Sequence, residues 1–308
     1  MTLNFEHASR RPGVFRRLTS LSVDEFQTLV TKLEPEWRRR ERTRLEARPR
    51  TNAVGQGRPY AGNFASLLLV VLTYLRTSSG NALLSLLFDL DEVTIRTYRR
   101  RITPLLQDRF LPATPVQGKV KRINDLDEFL RLYPELKELI GDGTELKIQR
   151  PKRRQRVSYT GKSKRHVKKT VVEINPNDGL FLGRTKLRPG RVHDKRVLAE
   201  DPLYRRIRSP DLTKRADSAW TGEDPKQGWL VNARGTRGHS LTKRQKKANR
   251  QLSKIRIKVE HAIRRLKVYR RLAETVVIRG KNDLEAAVNA AMNLANFTVL
   301  ARQTVEAA

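Results

Sequence analysis

The sequence predicts a mixed α/β domain preceded by an all-α domain, and two changes of texture together with the charge carry that expectation. Up to about residue 135 the apolar residues recur at helical spacing, and the breaks between them are short and polar. From about residue 136, period-two alternation and glycine-flanked turns take over, and helices return at the end. The third observation is that 65 Lys and Arg face 32 Asp and Glu, a net charge of +33. Self-repulsion on that scale opposes compaction and answers to a polyanion.

Nucleic acid is the leading polyanion, with an anionic membrane as the alternative. Against the membrane, no apolar run reaches transmembrane length and no signal peptide is present; the longest run, Leu67 to Leu72, suits a core helix. The 308 residues contain no cysteine and five histidines. That excludes disulfides and thiolate metal sites, argues against structural zinc and suits a cytoplasmic protein. Any metal is expected to be a hard cation held by carboxylates.

In chain order, residues 1–17 are polar and basic, include Pro12 and Gly13, and read as a mobile arm. Residues 18–135 read as the helical domain. Ser22 followed by Glu25 is a capping box, opening a helix from Val23 to about Leu33 that buries Phe26, Leu29, Val30 and Leu33. The basic run from Trp37 to Arg50 leads into a Gly- and Pro-containing loop. Asn63 to Arg76 is a strongly apolar helix. Asn81 to Phe88, then Asp89-Leu90-Asp91, then Glu92 to Arg101 has the layout of a helix-turn-helix, or of an ordinary αα-hairpin with a basic end. In the first case Thr94, Arg96, Thr97 and Arg100 would reach a major groove or its phosphates. Asp125 to Ile140 reads as a closing helix.

Residues 136–308 read as the α/β domain. Leu139 to Ile148 is a strand carrying Asp142 between two glycines. A basic loop from Gln149 to Lys164 follows, with Arg153, Arg154, Lys162 and Lys164. His166 to Asn175 and Leu180 to Leu187 form a hairpin around Pro176 to Gly179. His193 and Asp194 precede a short helix, which Asp194 could cap. Strands ending at Asp217 and spanning Gly228 to Ala233 come next, then a long basic helix from about Thr242 to Tyr269 and an amphipathic helix from Leu284 to Ala301. Trp220 and Trp229 fit the core better than a base-stacking role.

Three acids stand out. Asp142 and Asp217 sit at neighbouring strands, and Glu260 is a lone carboxylate on the basic helix, with Arg256 one turn before it and Lys267 two turns beyond. Such a set could hold a pair of Mg²⁺ or Mn²⁺ ions, which an in-line phosphoryl displacement needs roughly 3.5–4 Å apart. Taken singly, each acid also fits a structural role: an Asp-Gly turn, a surface acid, an ion pair with Arg256 or Arg264.

The ordered motifs resemble those of the DDE-superfamily transposases of bacterial insertion sequences, in the group related to the fourth and fifth numbered insertion-sequence families. The matching segments are Asp142 to Glu145, Tyr159 to His166, Pro189 to Lys195, Ala216 to Gly222, and the helix bearing Arg256, Glu260 and Lys267. Ser253 stands where the family signature has a tyrosine. Leu72 to Thr77 and Leu86 to Leu90 resemble the helix-turn-helix unit that precedes the nuclease domain in this family.

The resemblance implies an RNase H-like catalytic domain behind the helix-turn-helix domain, with Asp142, Asp217 and Glu260 as a triad binding two Mg²⁺ or Mn²⁺ ions. It implies double-stranded DNA, as transposon ends and as target, for substrate. Arg256, Arg264 and Lys267 would hold phosphates near the scissile bond, and His193, Asp194 and Trp220 would lie just outside the metal site. A dimer in the active complex and a bacterial cytoplasmic, nucleoid-associated location are expected. The alternatives are a non-catalytic DNA-binding protein and a stand-alone DNA nuclease.

Overall fold

The computed structural model describes residues 2–47, 53, 56, 60–107, 136–199, 213–216, 229–237, 239–276 and 283–306. By internal packing the chain divides into two compact units, Met1–Phe110 with Val268–Arg271 and Ala286–Ala308, and Leu111–Lys267 with Leu272–Glu285.

The first unit is helical. Its described elements are α1 (Phe5–Ser9), α2 (Pro12–Thr19), α3 (Val23–Glu46), α4 (Phe64–Thr77), α5 (Asn81–Phe88) and α6 (Glu92–Gln107). Asn63 caps α4, its side chain accepting from the Ser66 amide, and every residue from Phe64 to Leu75 is buried. A helix apolar on all sides belongs at the centre of a bundle, and α1, α2, α3, α5 and α6 all pack against it.

The N-terminal segment expected as a mobile arm is instead α1 and most of α2. Phe5, Phe15 and Phe26 stack or meet edge to face with centroids 5.1–5.9 Å apart, and Phe15 is fully buried. Three aromatic rings outweigh the few polar and basic residues around them.

The α3 capping box forms as expected, with Ser22 accepting from the Glu25 amide and Glu25 accepting from the Ser22 amide. The helix then runs past its expected end at about Leu33 to Glu46, through Pro35 and most of the basic run. Arginines and glutamates pair one turn apart all along it: Arg38 with Glu34, Arg39 and Arg40 with Glu36, Arg44 with Glu41 and Arg42 with Glu46. The basic run supplies its own counter-charges at helical spacing.

The second unit is built on a mixed sheet: β1 (Glu138–Lys147), β2 (Tyr159–Thr160), β3 (Arg165–Ile174), β4 (Phe181–Arg184), β5 (Arg188–Pro189), β6 (Thr213–Ala216) and β7 (Trp229–Val231). Its helices are α7 (Gln155–Ser158), α8 (Asp194–Ala199) and α9 (Lys243–Lys267), while α10 (Arg270–Ala273) and α11 (Asp283–Glu306) each contribute residues to both units. Expected helix at residues 138–140 is the start of β1; residues 125–135 lie outside the described residues.

β1 is central. It pairs antiparallel with β3, from Ile140 opposite Ile174 to Lys147 opposite Val167, and parallel with β6, where Ile140 meets Arg215. β4 lies antiparallel beyond β3, and β7 parallel beyond β6. The β3–β4 turn closes at Gly179, whose φ of +70° suits glycine. Val197 of α8 packs with Val171 and Ala216 on one face of the sheet. α9 packs against β1, β3 and β6, with Val259, Ala262 and Leu266 buried. Among the described residues no helix is long and apolar enough to cross a membrane.

Candidate active site

Asp142 occupies the middle of β1, half-buried, opposite Val172 of β3. The Gly143 amide donates to its Oδ1 at 2.8 Å. Alternation along the strand turns Asp142 to one face and Gly141, Gly143 and Glu145 to the other. On that second face, a Cβ added at Gly141 would touch Val171 at 3.8 Å, and one at Gly143 would stand 3.1 Å from Asp194 Oδ2. Asp194 therefore lies directly against the backbone next to Asp142, where only glycine leaves room.

Asp194 opens α8, where a carboxylate favours the helix dipole. Its Oδ1 pairs with Lys169 Nζ at 3.2 Å, and the same ammonium stands 3.6 Å from Glu145. Glu145 also accepts from Thr160 at 3.3 Å and Ser163 at 2.8 Å. Lys169, only 9% exposed, thus ties β1, β3 and α8 together. Its role was missed in the sequence because a lysine in an alternating strand looks solvent-facing. The antiparallel register that sets Lys169 opposite Glu145 is the signal that would have found it.

The approach to this segment also explains Gly190. A Cβ there would fall 2.4 Å from the Ser158 carbonyl oxygen and 2.7 Å from Val167, while the Gly190 amide donates to the Val167 carbonyl at 3.0 Å. His193, next to Asp194, is exposed, and its carbonyl accepts from Val197 as α8 begins. His166 accepts from or donates to Ser158 through Nδ1 at 2.9 Å and meets the Tyr159 ring edge-on at 5.6 Å.

From the helix side, Lys267 at the end of α9 is half-buried. Burial, and then the charge of Lys147, hold its ammonium below the ordinary lysine range, while Glu145 and Asp142 pull the other way. The end of α9 therefore lies within the electrostatic reach of Asp142. Glu260 is exposed two turns earlier on the same helix, Arg256 is half-buried and Arg264 exposed. Lys258 donates to the Pro176 carbonyl at 2.7 Å, and Arg265 donates to that of Gly179, fixing α9 over the β3–β4 turn.

Asp217 and Trp220 lie outside the described residues; β6 ends at Ala216, the residue before Asp217. Among the described residues, no three His, Asp or Glu side chains gather closely enough to hold a metal ion. The available donors, Asp142 and Glu260, are carboxylate oxygens, the chemistry a hard divalent cation takes.

The other expected contact residues fall in two groups. Arg153, Arg154, Lys162 and Lys164 are exposed on the two short turns between β1 and β3, with Arg154 and Lys164 in the left-handed region at φ of 53° and 50°. In the helical unit, Arg96 and Arg100 are exposed one turn apart on α6. Thr97 is half-buried, and the Thr94 hydroxyl donates to Asp91 Oδ2 at 2.5 Å, within the cap that starts α6.

A central strand with an aspartate at its middle, flanked antiparallel on one side and parallel on the other and packed on a basic helix with a lone glutamate, makes this a mixed α/β domain. The chain belongs to the DDE superfamily of endonucleases, whose family model matches residues 141–296. It is 31% identical over 153 residues to a probable transposase for insertion sequence element IS702 of Microchaete diplosiphon, covering 46% of this chain and 50% of the relative. The chain thus spans about half the length of the curated relative it matches. The piggyBac transposase synaptic complex with hairpin DNA aligns over 95% of this chain and 75% of its own, with a TM-score of 0.47 and 10% identity.

Proposed function

We propose that this protein is a DNA transposase of the insertion-sequence type, cutting phosphodiesters at element ends and joining them to target DNA. The observation that carries this is Asp142 at the centre of β1, with the basic helix α9 packed against that strand. The strand order β4-β3-β1-β6-β7, with β6 and β7 parallel to β1, supports an RNase H-like domain built on this sheet and α9. Asp142, Asp217 and Glu260 form the metal-binding triad in this account, supported by three placements. Asp142 lies on β1, Asp217 directly follows β6 in the chain, and Glu260 shares the α9 face of Lys267.

These carboxylates would hold two Mg²⁺ or Mn²⁺ ions, which when bound would supply charge stabilisation for the attacking and leaving oxygens of an in-line displacement. The chain's own side chains then have separate tasks. Lys267 sets a fixed positive charge beside Asp142, where a scissile phosphate carries its negative charge. Arg256 and Arg264 hold neighbouring phosphates and fix register without reading sequence. Lys169 and Asp194 keep the β1 backbone around Asp142 in place. The α5–turn–α6 unit acts as a helix-turn-helix with Arg96 and Arg100 towards DNA, and two chains pair two DNA ends in the active complex.

The test is incubation of the full chain with a labelled duplex drawn from the DNA flanking its own gene. Nicking in Mg²⁺ or Mn²⁺ and none in EDTA is expected. Binding with no metal-dependent cutting contradicts the enzymatic part, and no binding contradicts the whole.

A further inference from the structure

Helix α9 carries three distinct stripes. At 3.6 residues per turn, the buried Val259, Ala262 and Leu266 form one, and Arg256, Glu260 and Lys267 form a second beside it. The third consists of Lys243, Lys247, Arg250, Lys254, Lys258 and His261, each three or four residues from the last, and it lies roughly 115° around the helix from Glu260. Lys258 closes this stripe on the Pro176 carbonyl.

The N-terminal half of the helix is attached on its opposite side. Asn249 there donates to the Ala233 carbonyl and accepts from the Ala233 amide, both at 2.9 Å. Lys243, Lys247, Arg250 and Lys254 are all exposed, and the helix holds no acid before Glu260.

This arrangement is unfavourable by local rules. Like charges three and four residues apart repel, and cations at a helix start oppose the macrodipole. A capping box offsets part of that: Gln245 donates from its amide to Thr242 Oγ1 at 3.2 Å, and its side chain accepts from the Thr242 amide at 2.9 Å. What removes the repulsion is a polyanion. Four cations spaced one per turn extend over roughly 16 Å, and each strand of a duplex presents a phosphate about every 3.4 Å of axis.

We propose that Lys243, Lys247, Arg250 and Lys254 form a phosphate-tracking surface for duplex DNA, on a face of α9 separate from the one carrying Glu260. It rests on the DNA-processing function above and adds a second contact line, so that one helix holds duplex along its outer edge and offers Glu260 from another side.

The test is fluorescence anisotropy of the full chain with a labelled random-sequence duplex in EDTA across a range of NaCl concentrations. The variant K243A/K247A/R250A/K254A is expected to make the slope of log K against log salt shallower by roughly 3–4, near 0.9 for each lost phosphate contact. K243R/K247R/K254R is expected to keep the wild-type slope. Circular dichroism checks helix content, and where the alanine variant loses helix the four-fold glutamine variant is read in its place. A steep wild-type slope that the folded variant leaves unchanged overturns the stripe alone. A wild type that binds no duplex overturns the DNA function as well.

Discussion

At the scale of single residues, two glycines and one lysine set the geometry around Asp142. Gly190→Ala would drive a methyl group into the Ser158 carbonyl at 2.4 Å, and backbone cannot yield as a side-chain tip can. We expect a loss of about 1–3 kcal/mol, the usual cost of overpacking, read as a lower urea midpoint. Gly143→Ala meets the Asp194 carboxylate at 3.1 Å instead, which can move by a few tenths of an ångström, so its cost falls at the lower end of that range. Lys169→Met leaves Asp194 and Glu145 without the ammonium between them. Removing one partner of a largely buried pair costs on the order of 3 kcal/mol, and the same urea measurement checks it. Asp142-Gly143 and Pro189-Gly190 stood out in the sequence, but the reason for each glycine did not. It lies in a close approach between segments distant in sequence, which no local pattern encodes.

At the scale of elements, periodicity was most legible where apolar residues decide the structure. The hairpin β3–β4, the long helix α9 and the start of α3 all fall within a few residues of expectation. The first two helices escape the pattern because only Phe5 and Phe15 mark them, and both pack on Phe26 of α3; the second half of α3 escapes it because polar side chains do the holding. α3 continues through its basic second half because Glu34, Glu36, Glu41 and Glu46 answer the arginines. Glu41, 7% exposed, gathers Arg44, Arg101 and the Tyr60 hydroxyl. Burial pushes its carboxyl up, but the hydrogen bonds from Arg44 and Tyr60 and the charge of Arg101 outweigh that and leave it below the ordinary range.

A carboxyl depressed in the folded state binds fewer protons than in the unfolded chain. Its stabilisation is therefore complete above the unfolded value of about 4.5 and is lost as pH falls through the folded one. Trp37 packs beside Tyr60 and Phe64. In a chain with Trp220 and Trp229 replaced by Phe, its emission is expected to report a helical unit that weakens as pH drops below about 4.5. Glu41→Gln is expected to flatten that dependence, and an unchanged pH profile would contradict the role of Glu41.

At the scale of the whole molecule, a net charge of +33 spread over two compact units repels itself, and a polyanionic partner would relieve that repulsion. Composition alone points to such a polyanion. The placement of the carboxylates was only partly so. The strand bearing Asp142 and the helix bearing Glu260 could be read, whereas their approach through Lys267 depends on how α9 crosses the sheet. The family match over residues 141–296 spans both acids and Asp217.

Asp142, Asp217 and Glu260 are proposed to form one metal site. The most direct measurement compares Asp142→Asn, Asp217→Asn and Glu260→Gln with wild type on the same labelled duplex, scoring binding in EDTA and nicking in Mg²⁺. Each variant is expected to bind as wild type does and to nick roughly 10²–10³-fold more slowly, the size of losing several kcal/mol of transition-state stabilisation. Any one of them cutting at the wild-type rate would contradict the triad.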